Sequence, residues 1–154
     1  MTTPTPTNPF AREDVLALDA RALDQTLALA AGVAWSGLGQ EGDPMRGVEV
    51  RNGVALVCVD GPLANPWWGE SYPDVVSKVK AALDASQARV GVLKINSPGG
   101  TVSGLFEAMR AIRAAKASSG KRLIAMVAVQ ATSAAFGLAS CCDEVVVDET
   151  ACVG

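Results

Sequence analysis

Two short stretches carry the residue types that acyl-transfer chemistry uses. In the first, an apolar run over residues 90–95 gives way to Asn96-Ser97-Pro98-Gly99-Gly100. In the second, another apolar run ends in Gln130-Ala131-Thr132-Ser133. A plain turn needs one glycine at most. Two in a row point to a backbone that must approach something closely with its N–H groups available. Gly99 and Gly100, having no side chains, would let a developing oxyanion come within hydrogen-bonding distance. Ser133, set among small residues, would supply a hydroxyl nucleophile at the same edge. Taken singly, a Gly-Gly loop is a tight connection and a serine at a helix start is an N-cap. Their occurrence in consecutive strand-to-helix connections is what points to chemistry.

The elements around these loops must hold them side by side. The segment 48–61 shows two β-prone runs around Asn52-Gly53, a strong hairpin signal. Residues 74–86 read as a helix with Val75, Val76, Val79, Ala82 and Leu83 on one face and Asp74 as N-cap. The strand at 90–95 is followed, after the Gly-Gly loop, by a helix from about 103 to 117. That helix is expected to turn Leu105, Phe106, Met109 and Ile112 inward and to end at Gly120. A strand at 122–129, a short small-residue helix at 133–142 and a strand at 144–148 complete the pattern. Continuously apolar strands alternating with helices predict an α/β fold, a parallel sheet covered on both faces. In such sheets sites lie outside the carboxyl ends of the strands, where both loops fall. Each loop is expected to lead directly into a helix, whose first N–H groups and dipole favour an anion.

The N-terminal third reads differently. Residues 1–12 form a Thr/Pro-rich start expected to be mobile, and 13–47 a helix and loop leading into the domain at 48–154. Trp67 and Trp68 lie in a turn-rich stretch and read as loop residues packing on a neighbouring surface. Of 154 residues, 49% are hydrophobic and 19% charged, with net charge −3 and no Lys/Arg cluster, which argues against nucleic-acid binding. The four cysteines form no Cys-x-x-Cys pair and read as small buried hydrophobes. No histidine is present, which disfavours a metal site. No secretory signal or bilayer-spanning run is visible, so a cytoplasmic protein without membrane contact is expected.

The stretches "GVALVCVDGPL", "VLKINSPGGTVSG", "ATSAAFGLASCCDEVVV" and "TACVG" together resemble the signal peptide peptidase A family of serine peptidases, relatives of ClpP, and most of all its phage head maturation or capsid assembly branch. The resemblance covers about residues 48–154. It implies a ClpP/crotonase-like fold, no cofactor and a Ser–Lys dyad, with the nucleophile on Ser133 and oxyanion donors on Gly99, Gly100 and the Ala134 amide. It also implies protein substrates (scaffold and capsid proteins bound as extended strands), a homo-oligomer, and a place in the host cytoplasm or prohead. Thr132 and Phe136 stand where the family often has alanine and tyrosine. The family's lysine lies well beyond Ser133, past the final Cys152-Val153-Gly154, so the base and the last part of the fold are expected outside this chain. Lys94 and Lys121 read as solvated or edge residues rather than substitutes. Competing readings are a ClpP-like enzyme with a later histidine, a crotonase-type acyl-CoA enzyme, and a non-catalytic assembly or scaffold component.

Overall fold

A computed structural model describes residues 47–63 and 70–154. The expected mobile start, the helix and loop expected from residue 13 onward as far as residue 46, and Trp67–Trp68 lie outside the described residues. The described chain forms β1 (Val48–Arg51), β2 (Val54–Asp60), α1 (Tyr72–Asp84), β3 (Val90–Ser97), α2 (Leu105–Ser119), β4 (Arg122–Ala131), α3 (Ala134–Ala139), β5 (Glu144–Val147) and β6 (Cys152–Val153). β1 and β2 are the expected antiparallel hairpin, with Asn52 (φ 52°) and Gly53 (φ 82°) both left-handed as a two-residue primed turn requires.

From β2 onward the sheet is parallel, and its spatial order β1-β2-β3-β4-β5 follows the chain. Right-handed crossovers stepping in one direction place successive helices on one face. All three helices accordingly contribute to a single core cluster, which they share with the odd-numbered residues of the strands: Val57 and Val59, Leu93 and Ile95, Leu123 and Val127. The even-numbered residues Leu56, Val92, Ile124 and Met126 project from the opposite face and are buried as well. Both faces of the central strands are thus removed from water, which explains their uninterrupted apolar sequence. Among the described residues no helix is long and apolar enough to cross a membrane.

Local details depart from the expectations in instructive ways. Helix α1 begins two residues early because Ser71, not Asp74, is its N-cap: the Asp74 N–H donates to Ser71 Oγ (3.2 Å), and the Ser71 hydroxyl returns a bond to the Asp74 carboxylate. In α2, Leu105, Ala108 and Ile112 are buried, whereas Phe106 is 57% exposed. One residue past Leu105 turns the side chain by about 100°, which takes Phe106 off the inward stripe and leaves that place to Ala108. Of the cysteines, all free, Cys58 and Cys141 are buried as expected and Cys152 is exposed. Burial pushes the Cys142 thiol up to about 12, with the neighbouring Cys141 adding to the shift.

The far end of α3 is fastened to the sheet by Asp143. Its carboxylate accepts from the Leu123 N–H (2.9 Å) and from Lys116 Nζ (2.8 Å), while Lys116 also donates to the Cys141 carbonyl (2.9 Å). Burial alone would raise the Asp143 pKa, but the Lys116 and Leu123 hydrogen bonds outweigh it and hold the group below its ordinary value.

Two outcomes are expected. Ser71→Ala should lower unfolding free energy in urea by about 1 kcal/mol, the usual loss on removing a side-chain cap. Because the folded pKa of Asp143 is depressed, its stabilising contribution is present above the unfolded pKa and is lost as pH falls through the folded one. The gap in unfolding free energy between wild type and Asp143→Asn should therefore be full above the ordinary carboxylate pKa, shrink as pH falls from there toward the lower folded pKa, and be closed below it.

Candidate active site

The site is built where β3 and β4 run out together. Their register is regular up to the pair Ile95–Val127, and the next pair is Ser97–Ala131. Two steps along β3 thus match four along β4, and residues 128–130 bulge from the ladder. Bulges re-aim a strand end. This one brings Thr132 and Ser133 level with the Ser97–Gly100 loop.

Two hydrogen bonds then join the loops, and a third folds the first loop on itself. The Thr132 N–H donates to the Ser97 carbonyl (3.2 Å), the Thr132 hydroxyl donates to the Pro98 carbonyl (2.9 Å), and the Gly99 N–H turns back to Ser97 Oγ (3.1 Å). Ser97 is fully buried and serves as a local serine turn that folds the loop on itself. On its outer side the loop is tied to Leu63, whose N–H donates to the Gly99 carbonyl (2.9 Å) in a parallel bridge to Gly100.

The two glycines are required for different reasons. Gly99 has φ +95°, and a Cβ there would stand 2.6 Å from the Thr132 carbonyl oxygen, 2.8 Å from Ser133 Cβ and 3.0 Å from the Ala134 nitrogen. A Cβ on Gly100 would overlap the Leu63 carbonyl. The first glycine therefore allows the loop to touch the serine turn, and the second allows it to pair with the strand residue behind it.

Ser133 is exposed and is not an N-cap. Its side chain makes no capping bond, and its backbone sits at φ 55°, ψ −123°. A cap residue needs a negative φ so that its oxygen can fold over the first turn. The positive φ swings the Ser133 side chain away from the helix instead, at a cost of about 1–3 kcal/mol that the surroundings must offset. They do so from both sides: the Ser133 carbonyl accepts from the Gly137 N–H (3.1 Å), and the Ser133 N–H donates to the Gly154 carbonyl. Gly154 reaches that position because β6 pairs in parallel with Gln130 and Ala131 at the end of β4. An exposed serine on a strained strand-to-helix turn is the arrangement of a nucleophile elbow.

The donors available around it differ from the simplest expectation. The Gly99 N–H is taken by Ser97 and the Ser133 N–H by Gly154, so neither is free for a ligand. Among the described residues the N–H groups of Gly100 and Ala134 have no hydrogen-bond partner. The Gly-Gly loop also does not open a helix directly, since Thr101–Gly104 intervene and α2 starts at Leu105. Any anion stabilisation at Gly100 comes from backbone amides rather than from a helix end.

No basic side chain hydrogen-bonds to Ser133 among the described residues. Lys121 donates to the Ala85 carbonyl (2.8 Å) at the opposite end of β4, and Lys116 is bound to Asp143. Lys94 is not an edge residue: it lies half-buried in the central strand β3, between Cys58 and Met126 on the neighbouring strands. Nor does any group of three Cys, Asp or Glu side chains among the described residues sit where it could hold a metal ion. Sequence reasoning missed Ser97 and Thr132 as organisers of the site. The Ser-Pro-Gly order was a legible signal for the first; the second bonds to a carbonyl 34 residues away, which no local pattern encodes.

A sequential parallel sheet with two apposed loops at its carboxyl edge places the protein in the α/β class, in a fold of the crotonase type. Enoyl-CoA hydratases from Polaromonas sp. JS666 (22% identical, TM-score 0.53), Mycobacterium avium subsp. paratuberculosis K-10 (17%, 0.54) and Bacillus halodurans (14%, 0.53) superpose on 68% of this chain and on 48%, 47% and 50% of theirs. This chain thus spans about half the length of those structures, and at such identities the likeness is one of fold. No family model matches the chain. In sequence it is similar to the head-tail preconnector protein GP5 of Enterobacteria phage P21, 33% identical over 118 residues that cover 72% of this chain and 23% of that protein.

The geometry predicts a contrast between two left-handed glycines. Gly61 (φ +77°) has nothing within 4 Å of an added Cβ, so Gly61→Ala should cost about 1–2 kcal/mol from backbone strain alone. Gly99→Ala adds overpacking against Thr132 and Ser133, for a total of about 2–5 kcal/mol. Urea denaturation of the two variants in parallel checks the difference.

Proposed function

We propose that the protein is a serine endopeptidase of phage head assembly, using Ser133 as nucleophile and the Gly100 and Ala134 amides as oxyanion donors. The observation that carries this reading is the conformation of Ser133: exposed, uncapped and held at a strained positive φ beside a glycine whose Cβ has been dispensed with. A serine that merely started a helix would gain by relaxing to an ordinary cap. Persistent strain of this kind is found where function selects it. The similarity to a phage head-tail preconnector protein supports the head-assembly setting. The family resemblance further implies a homo-oligomer acting in the host cytoplasm or prohead on scaffold and capsid proteins. A substrate would bind extended alongside the Gly99–Gly100 loop, its scissile carbonyl over Ser133.

In the proposed reaction Ser133 Oγ attacks the carbonyl carbon and the resulting oxyanion is held by the two amides. The peptide then breaks to an acyl-serine and a free amine, and water releases the acyl group. The attacking hydroxyl needs a base to take its proton. The family resemblance assigns that role to a lysine, and Lys116 and Lys121 are bound elsewhere. The fold likeness to enoyl-CoA hydratases does not choose a chemistry, because one fold hosts many.

In the full-length protein, Ser133→Ala should abolish cleavage of the scaffold or capsid substrate while leaving the unfolding midpoint within experimental error of wild type. Retention of more than a few per cent of the activity would remove Ser133 from the mechanism. The 154-residue chain alone should label weakly or not at all with a fluorophosphonate probe. Rapid stoichiometric labelling would show that a residue of this chain acts as base.

A further inference from the structure

The Ser97–Gly100 loop and the Thr132–Ala134 turn each present one unpaired amide, at Gly100 and at Ala134, and these can act on a single oxygen only if the loops hold a fixed separation. The backbone supplies one tie, from the Thr132 N–H to the Ser97 carbonyl at 3.2 Å. It is the longer of the two direct bonds between the loops, and it lies on the buried side. The second tie is a side chain. Thr132 Oγ1 donates to the Pro98 carbonyl at 2.9 Å, closing the outer side next to exposed Gly100 and exposed Ser133. Among the described residues the Pro98 carbonyl has no other partner. Pro98 itself has no N–H, so its carbonyl is the one polar backbone group through which it can be held.

We propose that the Thr132 hydroxyl is a positioning residue that sets the spacing between the Gly100 and Ala134 donors. It does not touch the reacting atoms; it acts through the Pro98 carbonyl on the loop that carries Gly100. The proposal rests on the serine-peptidase reading for its catalytic consequence but not for its structural one, and the two can be tested apart.

Three versions of the full-length protein separate them: wild type, Thr132→Val, which keeps the shape and loses the donor, and Thr132→Ser, which keeps the donor. Amide hydrogen exchange reads the structural arm at the Gly99 N–H, held by Ser97 Oγ, and at the N–H of residue 132, held by the Ser97 carbonyl. In Thr132→Val both should exchange about tenfold faster while Ile95 and Val127 in the strands are unchanged, and Thr132→Ser should return both to near the wild-type rate. Unchanged loop exchange in Thr132→Val, or equal acceleration throughout β3 and β4, would overturn the clamp. In the catalytic arm, Thr132→Val should lower kcat about tenfold or more with KM within about twofold, because misplacing a donor costs the transition state rather than binding, and Thr132→Ser should recover kcat. Full kcat in Thr132→Val beside an inactive Ser133→Ala would remove Thr132 as a positioning residue while leaving the peptidase reading intact. If Ser133→Ala stays active, the peptidase reading falls, and altered exchange in Thr132→Val would still establish the clamp.

Discussion

Everything at the candidate site depends on how closely two backbones approach at the ends of β3 and β4. Gly99 lies against Thr132, Ser133 and Ala134 at distances no side chain could occupy. That contact exists because β4 bulges over residues 128–130, letting its end swing level with the Ser97 loop. Without the bulge the register would carry Ala131 past Ser97, and the two loops would not meet. The hydrogen bonds from Thr132 to Ser97 and Pro98 hold the result in place, but the absence of a Cβ at Gly99 is what permits it.

The same contact explains why a strained serine is tolerated. The φ of Ser133 is unfavourable locally, yet its two backbone groups are fixed by Gly137 on one side and Gly154 on the other. Helix α3, only six residues long, is too short to impose its geometry unaided. It is held at its far end by Asp143, bonded to Leu123 and Lys116, and along its length by burial of Ala134, Ala135, Leu138 and Ala139 in the core. Strain at the turn is thus offset by bonds distributed over β4, β6 and α2. Beside this turn the N–H groups of Gly100 and Ala134 have no hydrogen-bond partner among the described residues.

Much of the fold was legible. The alternation of apolar strands and helices gave the α/β class, Asn52-Gly53 gave the hairpin, and Gly120 gave the end of α2, each because the signal lies within a few residues of the feature it controls. Errors arose where two local solutions compete. Ser71 and Asp74 are both good caps, and which one bonds the first turn depends on how the preceding chain enters. Leu105 and Phe106 are both apolar, and only the packing of α2 against its neighbours decides which faces inward.

For the site, the sequence determined the materials: an exposed-edge serine among small residues, a glycine pair, and their order along consecutive β-α units. It could not determine which amides remain free. That choice follows from three hydrogen bonds, a local one from Gly99 to the Ser97 hydroxyl and two distant ones, Ser133 to Gly154 and Thr132 to Pro98. Two of these join residues 21 or more apart in the chain, and the partners are backbone carbonyls, which every residue possesses. A carbonyl carries no mark in the sequence, so only the tertiary structure, by setting strand register and the β4 bulge, decides which donors it takes and which are left unpaired among the described residues, at Gly100 and Ala134.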